Sequence, residues 1–167
     1  MNYIEPIRGN VNVEYLFKIH RHLFQDVYCW AGQLRTVPIS KPGTLFCLPG
    51  LIAANIKSIN RKLLSSRITH GLPYDDFRES LNELWGDLNM LHPFRDGNGR
   101  STREFVRVLA SAGGYQIDWS RASADEMLHA AIQDDYRQLL DKLVADRSPS
   151  RTLRQITYKR IRPTRRR

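Results

Sequence analysis

The chain has 167 residues, 41% of them hydrophobic, which is the size and composition of one domain with its own core. Two cysteines, Cys29 and Cys47, are too few for a disulfide framework and lack zinc-binding spacing; with no amino-terminal apolar run and no stretch as long as a membrane span, the expected setting is reducing and cytoplasmic. The net charge of +9 resides in residues 147–167, which carry nine Lys and Arg and no acid, whereas residues 1–146 hold 17 of each sign. Such a basic tail can contact nucleic acid, anionic lipid or an acidic protein. The plainer reading is a solvated end, or the place where a longer protein was cut, so the domain is drawn as 1–146 with 147–167 as its tail.

Taken in order, the elements are mostly helical. Val13, Leu16, Phe17, Leu23, Phe24 and Val27 form an apolar stripe at helical spacing, with Gly32 as the expected stop. Leu34 to Pro38 and Leu45 to Leu48 read as two short strands around the turn Ser40-Lys41-Pro42-Gly43. A helix is expected over Leu51 to Leu64. Another is marked by the 4-3-4-3 spacing of Phe77, Leu81, Leu84, Leu88 and Leu91, with Asp75 or Asp76 as its cap. A further helix should run from near Gly99 to Gly113-Gly114. Ser123-Ala124-Asp125-Glu126 has the form of a capping box, opening a helical region with Met127, Ile132, Leu139, Leu140 and Leu143. Beyond Ser148, Leu153, Ile156 and Tyr158 allow one or two more helical turns.

The segment between the helix ending at Leu91 and the one starting near Gly99 carries the chemistry. Gly97-Asn98-Gly99 can turn successive N–H groups inward as an anion nest, and the following helix adds its positive end. Arg100 and Arg103 share one face of that helix and can fork onto phosphate oxygens. Asp96 offers a hard oxygen ligand of the kind that holds Mg2+ beside phosphates, although a plain helix cap is its other reading. His92, with an ordinary pKa of about 6.5, suits a general base, and Phe94 is the expected anchor of the loop. No Gly-Lys-Ser/Thr follows the glycines, and a helix precedes them, so neither a Walker A loop nor a dinucleotide fingerprint is present.

His92-Pro93-Phe94-Arg95-Asp96-Gly97-Asn98-Gly99-Arg100-Ser101-Thr102-Arg103 closely resembles the Fic (Fic/Doc) signature His-x-Phe-x-Asp/Glu-Gly-Asn-Gly-Arg-x-x-Arg, with every fixed position matched. His20 to Phe24 with Tyr28 to Thr36 resembles the family's helix leading into its flap, and residues 34–48 resemble the flap hairpin. The resemblance, over residues 10–145, implies a mostly α, single Fic-type domain with a small β-hairpin flap. It implies that the chain transfers AMP from Mg-ATP to a hydroxyl of another protein. His92 would take the proton from the target hydroxyl, which attacks the α-phosphorus. Asp96 would hold Mg2+, and Gly97, Asn98 and Gly99 would form the anion hole. Arg100 would contact the inner phosphates and Arg103 the γ-phosphate, with pyrophosphate leaving. The flap would dock the target as an added strand. Ser40 and Lys41 would approach the nucleotide, and Gln133 and Tyr136 are weaker candidates for an adenine pocket; a tyrosine there is more often a core residue.

Many family members carry an inhibitory helix, Ser/Thr-x-x-x-Glu-Gly/Asn, whose glutamate pairs with the last motif arginine. Here the residues after Glu5, Glu14, Glu79, Glu83, Glu104 and Glu126 are Pro, Tyr, Ser, Leu, Phe and Met, so none fits. The resemblance therefore implies a toxin-like enzyme restrained by a separate small antitoxin that offers a glutamate to Arg103. The same glutamate could instead lie in a part of the gene product outside this chain. The alternatives are UMP or phosphocholine transfer, kinase-like phosphoryl transfer on the same scaffold, membership of a longer effector secreted into a host cell, or a binding module working through the tail. The intact Gly97-Asn98-Gly99-Arg100 favours AMP transfer, and no membrane or nucleic-acid partner is expected apart from contacts of the tail.

Overall fold

The protein, described here by a computed structural model over residues 11–148, is built from six helices and one small hairpin. The proposed turns around Leu153, Ile156 and Tyr158, the tail and residues 1–10 lie outside the described residues. In chain order the elements are α1 (Val13–Phe24), β1 (Ser40–Lys41), β2 (Thr44–Leu45), α2 (Ile52–Ser66), α3 (Tyr74–Leu91), α4 (Asn98–Gly113), α5 (Ala124–Gln133) and α6 (Arg137–Leu143). α3 is the central element, packed on α2, α4 and α6, while α1 lies against α4. Its Phe77, Leu81, Leu84, Leu88 and Leu91 are all buried, as the spacing predicts. No helix among the described residues is long and apolar enough to cross a membrane.

Several expectations need correction. α1 ends at Phe24, not at Gly32, and its buried face is Val13, Leu16, Ile19, His20 and Phe24; Leu23 and Val27 are exposed. The histidine takes a core position that the apolar stripe had given to leucine. α3 begins after Pro73, and no side chain caps it. Proline fits a helix start because its missing N–H would have no partner there, and Asp75 and Asp76 instead occupy the first turn, where the helix dipole favours acids. The capping box of Ser123 and Glu126 is present, but the region it opens is two helices, broken where Asp134 turns left-handed at φ 52°, and Ile132 is exposed.

The strands are shorter than expected and lie nearer the tip. Ser40 pairs with Leu45 and Lys41 with Thr44, around Pro42 and Gly43 (φ 78°), the residue pattern of a type II turn. Such a turn matches strand twist poorly, which favours a brief ladder. The flanking chain bonds elsewhere: Arg35 N–H donates to Pro93 O at 2.9 Å and Cys47 N–H to Met90 O at 3.0 Å. The flap is thus stitched to the end of α3 and to the loop that follows. Phe46 N–H reaches Ile39 O at 3.4 Å, so bonding points inward at positions 44 and 46, and the N–H and C=O of Leu45 face the free edge.

Candidate active site

His92 closes α3 in the left-handed region (φ 38°), its N–H reaching Leu88 O at 3.3 Å. The imidazole is buried, and Nδ1 bonds to Asn89 O. A carbonyl only accepts, so Nδ1 carries the hydrogen and Nε2 keeps its lone pair. Phe46 of the flap stacks on the ring at 3.7 Å between centroids. Burial lowers the His92 pKa to about 4; the Asn89 carbonyl opposes this, and the nearby cations Lys41 and Arg35 add to it. The outcome is a neutral base in a fixed tautomer.

The following loop is pinned from inside. Phe94 is fully buried and stacks on His20 at 3.8 Å. Asn98 grips the Phe94 backbone twice: its Oδ1 accepts from Phe94 N–H at 2.9 Å and its Nδ2 donates to Phe94 O at 2.8 Å. The Asn98 side chain is therefore a loop staple, and only its main chain is left for an anion. Gly97 (φ 76°) precedes α4, and a Cβ there would meet the Phe24 ring at 2.5 Å, so both backbone and packing demand glycine. Its N–H is taken by Asp96 Oδ1 at 2.6 Å. The first N–H groups of α4, on Asn98, Gly99 and Arg100, are those a helix leaves without internal partners. Of the expected 97–99 main-chain donors, the Gly97 N–H is the one already bonded, to Asp96.

Gly99 has no such internal reason. A Cβ there would have the Arg103 guanidinium at 3.6 Å and nothing closer, which is ordinary contact. Helix propensity alone would prefer alanine by about 1 kcal/mol. A bare backbone at this point suits a phosphate that must come close. Gly99→Ala is accordingly expected to leave thermal stability unchanged or slightly raised while weakening ATP binding at least about tenfold, a loss of roughly 1.4 kcal/mol. Calorimetric titration alongside a melting curve checks this, and unchanged ATP affinity would rule out close approach at Gly99.

Asp96, exposed at the mouth, has Oδ2 accepting from Tyr28 Oη–H at 2.8 Å. That bond, then the one from Gly97, holds its pKa below the usual carboxylate value. Among the described residues no group of three or more His, Cys, Asp or Glu could cage a metal. A lone carboxylate fits Mg2+ held mainly by phosphates and water. Arg100 is exposed, its guanidinium 4.4 Å from the Phe24 ring centroid, and Arg103 is half-buried with no ion pair among the described residues. Ser40 and Lys41 sit exposed on the flap, and Lys41 lies near enough to depress the His92 pKa.

Gln133 and Tyr136 are not brought to this loop. Tyr136 is a core residue, 1% exposed, its ring stacked on Trp85 at 4.4 Å. With that face covered, it has no room to stack on adenine. Gln133 lines a hollow with Glu126, His129 and Lys142, without any residue of the 92–103 motif.

Sequence reasoning missed four residues that build the site. Arg35, 2% exposed, donates to His92 O at 2.7 Å, Val37 O at 2.9 Å, Leu91 O at 3.4 Å and Cys47 O, joining the flap to the carboxyl end of α3. His20 accepts from Gly32 N–H at 2.9 Å through Nδ1, so Nε2 is the donor to Asp96 O, also at 2.9 Å. Tyr28 and Phe46 complete the set. The available signal was their place in the 20–48 stretch that resembles the family's helix and flap.

Residues 10–110 match the Fic/DOC family, and the chain belongs to it. The chain is 40% identical over 130 residues to protein adenylyltransferase VbhT of Bartonella schoenbuchensis, covering 78% of this chain and 27% of VbhT. It is 32% identical over 143 residues to a protein adenylyltransferase of Bartonella henselae, covering 77% of this chain and 26% of that relative. The chain thus spans about a quarter of the length of these two relatives. Its fold superposes with a TM-score of 0.78, at 27% identity, on the N-terminal Fic domain of a VirB-translocated effector of Bartonella quintana with bound ADP, covering 89% of this chain and 78% of that one. The N-terminal Fic domain of an effector of Bartonella sp. AR 15-3 gives 0.77 at 27% identity, covering 84% and 74%.

Proposed function

We propose that this chain transfers AMP from Mg-ATP to a hydroxyl side chain of a target protein, releasing pyrophosphate. The observation that carries the reading is the pairing, within one loop, of a neutral buried imidazole with free Nε2 and an open helix amino terminus bearing Gly99. The first can accept a hydroxyl proton and the second can receive phosphate. Asn98, Gly99 and Arg100 N–H groups would hold the inner phosphates, aided by the Arg100 guanidinium, while Arg103 takes the γ-phosphate. Asp96 would hold Mg2+, whose role when bound is to neutralise charge on the phosphates. His92 Nε2 would remove the target proton as the oxygen attacks phosphorus. The protein's share is then positioning and charge stabilisation. Relatives named protein adenylyltransferases, and the ADP in the Bartonella quintana domain, support the nucleotide and its chemistry. Mass spectrometry of a target treated with the protein and ATP is expected to find AMP esterified to a hydroxyl; an unmodified target pool in an active lysate would count against it.

The target is proposed to pair with the free edge of β2, where the main-chain groups of Leu45 point outward. Leu45→Pro removes that outward N–H and leaves the inward pairs at 44 and 46 in place. The expected result is loss of target modification by at least about tenfold with ATP affinity held within about twofold. Survival of modification in Leu45→Pro would show that the target does not dock by strand addition.

Control is proposed to come from a separate small protein in the cytoplasm that offers a glutamate to Arg103, which has no ion pair among the described residues. The carboxylate and the γ-phosphate would compete for one guanidinium. Expression with and without the genomic neighbour tests this: growth arrest only without the neighbour supports control in trans, and equal growth in both settings argues against it.

A further inference from the structure

Asp96 is held at three atoms: Oδ1 by Gly97 N–H, Oδ2 by Tyr28 Oη–H and the main-chain oxygen by His20 Nε2–H. The Arg100 guanidinium stands over the Phe24 ring, 4.4 Å from its centroid, and the Tyr28 ring lies against the same phenylalanine. Asp96 and Arg100 are four residues apart, and each acts electrostatically on the groups around the other, yet no direct ion pair joins them. The Tyr28 ring is fixed independently, stacked on Trp30 at 4.2 Å and 11° and lying 5.8 Å from Phe24. An ionised carboxylate can only accept, so the Tyr28 proton goes to Asp96 and the hydroxyl keeps its own lone pairs for another donor.

We propose that Tyr28 is a positioning residue whose hydroxyl stands between Asp96 and Arg100 and keeps them from closing on each other, so that the carboxylate stays available to a divalent cation and the guanidinium to phosphate. Without that oxygen, the opposite charges are free to close into a direct charge-assisted bond, and both groups are withdrawn from the ligand. Hydrogen-bonded partners of metal ligands commonly change metal affinity about 10- to 100-fold when removed. The inference rests on the reading of Asp96 as the ligand of Mg2+.

Tyr28→Phe removes the hydroxyl and keeps the stacked ring. Binding of a fluorescent ATP analogue, titrated with Mg2+, is the readout for the wild type, Tyr28→Phe, Asp96→Asn and the double variant. Tyr28→Phe is expected to raise the Mg2+ concentration for half-maximal binding about tenfold. In the Asp96→Asn background, where no ion pair can form, Tyr28→Phe should shift binding by less than twofold. Equal losses in both backgrounds, or no change in the Mg2+ dependence of Tyr28→Phe, would overturn the spacer role. If Asp96→Asn itself leaves the Mg2+ dependence intact, the assignment of Asp96 fails; if Asp96→Asn abolishes it while Tyr28→Phe is silent, the spacer alone fails.

Discussion

His92→Ala is expected to lower transfer by about 10²–10⁴-fold, the usual contribution of a positioned general base, while nucleotide affinity stays within about twofold. The ring that would take the proton carries its hydrogen on Nδ1, bonded to Asn89 O, so its Nε2 has no donor to offer a phosphate. Stability must be followed in parallel, because the variant also loses the stack on Phe46. The same residue predicts a pH dependence. Burial lowers its pKa to about 4, so the base stays neutral and the rate flat down through pH 6, falling only as pH approaches 4. The linkage has the same sense: between the unfolded value near 6.5 and the folded value, the unfolded chain binds the proton and the folded chain does not, so acid removes stability across that window. An acid limb of the rate centred at 6.5 would show an imidazole open to solvent, contrary to the packing around His92.

Arg35→Met is expected to cost on the order of 2–5 kcal/mol of stability, a large part of a domain's total of about 5–15 kcal/mol. Methionine can fill much of the volume, but it supplies no donor to the carbonyls of Leu91, His92, Val37 and Cys47. Two of these carbonyls close the negative end of α3, where a guanidinium is favoured by the helix dipole as well as by hydrogen bonding. The buried charge has a desolvation cost of its own, seen as a lowered pKa, and losing it offsets part of the damage. Arg35→Lys should recover little, since one ammonium lacks the fork that spans four acceptors. Urea unfolding checks the magnitude, and a loss below about 1 kcal/mol would mean the flap is held by its backbone bonds alone.

Legibility from sequence followed the range of the interactions involved. The buried face of α3 and the capping box at Ser123 were readable because both are set by spacing within one helix. The loop at 92–100 was readable because its residue types stand next to each other. The flap was readable as a hairpin but not in its register, since the bonds of Arg35 and Cys47 to the end of α3 cross 43 or more residues and no local pattern announces them. His20 and Tyr28 reach Asp96 across 76 and 68 residues, and Tyr136 reaches Trp85 from another helix, so their roles appear only once the helices are packed. That Asp96 occupies the Gly97 N–H was not readable, because it depends on a side-chain rotamer.

The most direct test of AMP transfer is to incubate the protein and a lysate with ATP labelled at either the α- or the γ-phosphate, with His92→Ala as the control. Label passing to protein from the α-position only, and absent with His92→Ala, is the predicted result; label passing from the γ-position only would mean phosphoryl transfer and would contradict the assignment.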